Sequence, residues 1–167
     1  MDDIEKLTKD TIKNGGIQAM LYFDIHAKTK EAVQDLGRGF INTIIHKPGV
    51  VYALGEIDEP IGGEEGKNFS SSISLKLLTK DFNTLGLICM AHSPFTVEIL
   101  KPEEIKLSIS QTQELLSNMS ATTAEYKKVI VTKLSSKEEI MQMQEDLKTR
   151  AEMGKKMSEK SRNDEKK

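Results

Sequence analysis

Asp24 and His26 are the acid and imidazole of this chain whose spacing could serve proton transfer, because a carboxylate two residues away can orient an imidazole. Residues 17–26 alternate strictly: Ile17, Ala19, Leu21, Phe23 and Ile25 point one way, and Gln18, Met20, Tyr22, Asp24 and His26 the other. Five matches at period two make this a strand with one face on a core. Tyr22, Asp24 and His26 then share the other face, and we take them as the candidate ligand-binding residues. The competing reading is a polar sheet face that merely follows the alternation. The remaining histidines, His46 and His92, both end helical segments, where the C-terminal dipole favours a protonated imidazole. Nothing in the spacing of the three makes a metal triad, so no metal site and no cofactor are expected. Cys89 is the single cysteine; it falls on the apolar face of a helical segment and reads as a buried, inert thiol. No catalytic residues are assigned, and the reading leans away from an enzyme.

Two charged stretches could do other work. Residues 56–65 hold five carboxylates, Glu56, Asp58, Glu59, Glu64 and Glu65. Hard cations favour such oxygen ligands, but the order does not match an EF-hand loop, and the charge opposes a phosphate cradle at Gly62, Gly63 and Gly66. A solvated hairpin tip is the simpler reading, with a docking surface for a basic partner second. Residues 148–167 carry eight Lys or Arg against four Asp or Glu. That stretch could contact RNA or the ribosome through counterion release, though it has no aromatic residue for base stacking.

The elements that position these residues follow in order. Residues 2–14 form a short helix with Ile4, Leu7 and Ile12 as its apolar contacts, stopped by Asn14-Gly15-Gly16. After the first strand, residues 30–46 carry Val33, Leu36, Gly37, Phe40, Ile41, Ile44 and Ile45 at helical spacing. Gly37 on that stripe costs about 1 kcal/mol of helix propensity against alanine, which close approach to a sheet would explain. Residues 50–57 are a second strand, residues 58–68 an acidic glycine-rich loop, and residues 69–78 a third strand. Asp81 is a good N-cap for a second helix carrying Phe82, Leu85, Gly86 and Cys89. Residues 95–100 are a fourth strand, with Phe95, Val97 and Ile99 alternating inward.

From Ser108 onward the period changes. Ser110 with Gln113 resembles a capping box, followed by a helical stripe of Leu115, Leu116, Met119, Tyr126, Ile130 and Leu134. The β-branched run Val129-Ile130-Val131-Thr132 leaves a strand there as the minority reading. Ser136 with Glu139 is another capping box, opening a helix whose narrow stripe of Met143, Leu147, Ala151 and Gly154 suits partner binding, in the manner of a short coiled-coil seam. Residues 158–167 are nearly all charged or polar and are expected to be disordered.

The fold class is therefore α+β: a ferredoxin-like βαββαβ antiparallel sheet with two packed helices, plus a C-terminal helical extension. The domain boundaries are 1–15 for the N-terminal helix, 16–107 for the module, 108–157 for the extension and 158–167 for the tail. Within the module, one helix ends in Lys47-Pro48-Gly49-Val50 and the next in His92-Ser93-Pro94-Phe95, each leading directly into a strand. This arrangement resembles the ACT and RAM regulatory modules, small ligand-sensing domains. The resemblance implies a dimerising or ligand-sensing role. Such modules often hold an amino acid near a glycine-containing loop after the first strand; here that loop is His26-Ala27-Lys28-Thr29, so the specificity does not transfer.

The 167-residue chain has a formal net charge of −2, so as a whole it lacks nucleic-acid-like basicity. Its start has no signal-peptide pattern, and no apolar run is long enough for a bilayer. A cytoplasmic location is expected. The functional expectation is a non-enzymatic regulatory or scaffold protein that forms a homodimer or higher homo-oligomer through the ferredoxin-like module and docks on a protein partner through its C-terminal helices, with a small-molecule effector as an option. An RNA- or ribosome-associated accessory factor is the alternative.

Overall fold

The computed structural model describes residues 2–62, 68–134, 136–139, 141–142, 145–146, 148–149 and 152–153. The elements are α1 (Asp2–Lys13), β1 (Ile17–Ala27), α2 (Lys30–Ile45), β2 (Val50–Ile57), β3 (Ile61–Gly62), β4 (Phe69–Thr79), α3 (Phe82–His92), β5 (Thr96–Lys101) and α4 (Ile109–Leu134). The chain divides into two units, residues 1–119 and 120–167.

In the first unit the sheet order is β2-β4-β1-β5, all antiparallel, which is the ferredoxin-like arrangement of an α+β fold. The central ladder pairs Ile17 with Thr79 and runs unbroken to Ala27 with Phe69. One sheet face carries Ala19, Leu21, Phe23, Ala53, Ile73, Leu75 and Leu77 into the core with Ile44 of α2 and Leu85 and Ile88 of α3. Caps fix where the helices begin. Thr29 Oγ1 accepts the Ala32 amide at 3.1 Å for α2, and Asp81 Oδ1 accepts the Thr84 amide at 2.7 Å for α3, as the N-cap pattern requires. At the end of α1 the amides of Gly15 and Gly16 donate to the carbonyls of Ile12 and Thr11, with Gly15 at φ +93°. That is the paired-bond stop in which a left-handed residue is obligatory.

Three expectations are corrected. Phe95, Val97 and Ile99 are 58%, 43% and 39% exposed rather than turned into the core. Val97 and Ile99 do stand opposite Leu21 and Ala19, on the helix-covered face, but β5 is the edge strand and the helices pack mainly over β1, β2 and β4. The acidic loop is shorter than the sequence suggests. After Pro60, which cannot donate to the ladder, Ile61 and Gly62 resume pairing with Ser70 and Phe69 as β3. Glu64 and Glu65 lie outside the described residues. Finally, the capping box of α4 sits two residues earlier than expected. Ser108 and Gln111 exchange backbone and side-chain bonds at 2.9 and 3.2 Å.

α4 runs unbroken through Val129–Thr132, so helical context overrides the β-branched run there. The second capping box falls where the sequence places it: the Ser136 amide donates to Glu139 Oε2 at 2.8 Å and the Glu139 amide to Ser136 Oγ at 3.3 Å. The hydrogen bond from the Ser136 amide holds the Glu139 carboxyl below its ordinary value. Met143, Leu147, Ala151 and Gly154, and the tail 158–167, lie outside the described residues.

Candidate functional site

The sheet face opposite α2 and α3 is built from the second side-chain set of each strand. On β1 this set is Gln18, Met20, Tyr22, Asp24 and His26; on β4 it includes Ser70, Ser72, Ser74 and Lys76, each opposite one of them. Asp24 and His26 are both exposed. His26 Nδ1 lies 2.8 Å from Ser70 Oγ, its cross-strand neighbour. Asp24 stands opposite Ser72 and makes no hydrogen bond or ion pair among the described residues. Beyond Tyr22, where pairing with β5 ends, β1 is a free edge of the sheet among the described residues, and there Asp24 and His26 also line an open groove of about 870 Å³ with Asp35, Leu36 and Phe40 of α2. Tyr22 is half-buried, its ring 6.1 Å from that of Phe95. The three candidate residues thus share a strand but do not converge on one point.

At the other end of this face the packing is tighter, because α1 lies over it. Ile4, Thr8 and Ile12, spaced by four, line its inner side. Thr8 and Gln18 are 7% and 6% exposed, a polar pair inside the molecule, and their hydrogen bonds form a directed chain. Gln18 Nε2 donates to Tyr52 Oη at 2.6 Å. Thr8 Oγ1 donates to the Ile4 carbonyl at 2.7 Å. The Thr8 proton is therefore committed, so at the 3.1 Å contact between Tyr52 Oη and Thr8 Oγ1 the tyrosine is the donor. The chain pins α1 to β1 and β2. It borders a cavity of about 710 Å³ that also meets Glu5, Lys9, Lys76 and Lys101.

Sequence reasoning passed over this second site. Its signal was present in the i, i+4, i+8 spacing of Ile4, Thr8 and Ile12 and in Gln18 heading the non-core face of β1. What the sequence lacked was the partner strand position of Tyr52, which only the register supplies.

His92 and Cys89 behave as packing groups. Burial, and secondarily the charge of Lys47, push the His92 imidazole below its ordinary value. This corrects the expectation that the helix dipole would favour its protonated form. The ring of His92 meets Phe40 edge-on at 5.3 Å, and its Nε2 is buried without a hydrogen-bond partner among the described residues. The exposed His46 keeps a local bond, Nδ1 to the Asn42 carbonyl at 2.7 Å. Burial raises the Cys89 thiol above its ordinary value, and the side chain packs against the core. Among the described residues no group of three His, Cys, Asp or Glu side chains could hold a metal. No helix among them is long and apolar enough to cross a membrane.

Compared with known proteins, residues 18–164 match the model of the MJ0538 family, and the chain belongs to that family. The matched span covers both the sheet module and the region after it, and starts just past α1. No curated protein matches the chain, and no solved structure does.

Proposed function

We propose that this member of the MJ0538 family is a non-enzymatic regulatory or scaffold protein that self-associates through α4. The observation that carries this reading is the surface of α4 itself. The helix has 26 residues, about 39 Å at 1.5 Å per residue, and none of them is buried. Ile109, Leu116, Thr123 and Ile130 fall at one heptad position; the three apolar ones are 79%, 59% and 55% exposed, with Leu134 at 81% four residues beyond. Apolar side chains at that period are the seam of a coiled coil. Helices in water draw most of their stability from burying such a face, and each Leu or Ile covered contributes about 1.5–3 kcal/mol at most.

Two further features support the reading. The family match extends through α4, so the extension accompanies the module. The resemblance of the module to ACT and RAM domains, carried by Lys47-Pro48-Gly49-Val50 and the element order, fits a sensing role joined to dimerisation. Size-exclusion chromatography with light scattering on the full chain tests it. The expected mass at micromolar concentration is at least twice 18.7 kDa, falling to one chain in the Leu116→Glu/Ile130→Glu variant with the module's melting unchanged. A monomer at all micromolar concentrations refutes it.

A further inference from the structure

We propose that the cavity between α1 and the sheet is a binding site for a small organic dianion, recognised through carboxylate or phosphate oxygens. Three lysines from three separate elements meet it: Lys9 on α1, Lys76 on β4 and Lys101 on β5. The register explains the convergence of the last two. Gln18 stands opposite Lys101 on one side and Leu78 on the other, while Lys76 stands opposite Met20, one step along the same sheet face. Among the described residues none of the three lysines makes an ion pair. Among the described residues Glu5 is the single carboxylate at the cavity, so two of the three lysine charges have no carboxylate counterpart among them.

Lys76 is the informative member. It sits in the central strand, half-buried, where a neutral side chain would satisfy the sheet equally well. A solvated lysine normally reaches open water with its ammonium, its stem covering apolar surface. Here Lys76 lines the cavity together with Thr8, Gln18 and Tyr52. The hydrogen bond to Tyr52 leaves Gln18 Nε2 with a second N–H, and Gln18 lines the same cavity as the lysines. Ile4 and Ile12 supply an apolar wall on the α1 side. The volume, about 710 Å³, lies in the range of small-molecule sites, about 300–1,000 Å³. Lysines act as point charges, not as planar forks, so the site selects charge and size in preference to one oxyanion geometry. The inference goes beyond self-association through α4 and stands or falls without it, since every residue named lies in residues 1–119.

Isothermal titration of the full chain tests it, with succinate and glycerol phosphate, a dicarboxylate and a phosphate monoester, as probes and ionic strength held constant with chloride. The expected result is saturable binding of at least one probe, about tenfold weaker in Lys76→Gln and in Lys101→Gln, as loss of one charged hydrogen bond predicts. Lys80→Gln, an exposed lysine away from the cavity, leaves the affinity unchanged. The two probes separate a carboxylate from a phosphate preference, and either preference supports the site. Should Lys76→Gln fail to fold, the edge-strand Lys101→Gln carries the comparison. Absence of saturable binding by both probes, or equal weakening in Lys80→Gln and Lys101→Gln, overturns the proposal.

Discussion

Gly37 and Gly39 lie two residues apart in α2 and should respond to alanine with opposite signs. In a helix interior, glycine to alanine gains about 1 kcal/mol of propensity wherever the added methyl finds room. At Gly39 no described residue outside the helix's own nearby backbone lies within 4 Å of the new Cβ, so the full gain of about 1 kcal/mol is expected. At Gly37 the same atom would stand 2.6 Å from Ile57 Cδ1 and 3.1 Å from Ile25 Cδ1, where α2 crosses the sheet. Overpacking of this kind costs about 1–3 kcal/mol, which equals or exceeds the propensity gain. Gly37→Ala is therefore expected to be destabilising by up to about 2 kcal/mol. The closest atom is the tip of a flexible side chain, so the cost should be recoverable. Ile57→Val removes that tip at its own cost of about 0.5–1.5 kcal/mol, and in that background Gly37→Ala should become neutral or stabilising. Urea denaturation of the four proteins and of Gly39→Ala, with unchanged m values, reads out the coupling. If Gly37→Ala stabilises the wild-type chain as much as Gly39→Ala does, α2 does not pack on Ile57 as described and the argument fails.

Further expectations concern the caps and the titrating groups. Asp81→Ala removes the oxygen that accepts from both the amide and the hydroxyl of Thr84, at 2.7 and 2.9 Å, and should cost about 0.5–2 kcal/mol in the same denaturation assay. Gly16→Ala should be more damaging than Gly15→Ala. At Gly16 a Cβ meets the Thr79 carbonyl oxygen at 2.7 Å and that of Thr11 at 2.8 Å, backbone atoms that cannot swing aside, whereas Gly15 has open space and suffers only its positive φ. For His92 the folded-state value lies below the unfolded one because of burial and then Lys47. The unfolded chain therefore takes up the proton first, and stability should fall as pH drops from about 6.5 toward the folded value. His92→Gln should flatten that slope, and Lys47→Gln should raise the imidazole's titration midpoint in an NMR titration. Cys89, its thiol pushed up by burial, should react with an alkylating reagent at mildly alkaline pH far more slowly in the folded chain than in urea; equal rates would show that it is not packed against the core.

Most of the fold was legible because its signals are local. Period two over residues 17–26, helical spacing over residues 30–46 and the N-cap at Asp81 each depend on a few neighbouring residues, and each element appears where that pattern places it. Gly37 was legible for the same reason: a glycine on an apolar stripe implies close approach, and Ile57 and Ile25 are what it approaches. What escaped depends on pairings between distant segments. Phe95, Val97 and Ile99 have the alternation of an inward strand, but Phe95 falls just before β5 with its ring near Tyr22, and the exposure of Val97 and Ile99 follows only from β5 being the edge. His92 ends a helix, which locally favours its charge; its burial against Phe40 and its proximity to Lys47, 45 positions away in sequence, reverse that.

The same distinction explains why Asp24 and His26 attracted notice while the Thr8–Tyr52–Gln18 chain did not. Residues two apart on one strand advertise themselves in sequence, yet on this exposed surface His26 bonds to Ser70 and Asp24 makes no hydrogen bond or ion pair among the described residues. Thr8, Gln18 and Tyr52 span 44 positions and meet because α1 folds over the far end of the sheet. A polar chain so placed has a consequence that isolated surface residues lack. Its protons are ordered by the Ile4 carbonyl at one end and the Gln18 amide at the other, so replacing Tyr52 by phenylalanine leaves Thr8 Oγ1 without its donor and Gln18 Nε2 without its acceptor. At about 1–3 kcal/mol for each buried group left unsatisfied, Tyr52→Phe should loosen α1 before the sheet. Amide exchange tests this directly: protection should fall across residues 5–13 and persist in β1 and β4. Uniform loss of protection through the sheet would mean that α1 and the sheet open as one unit.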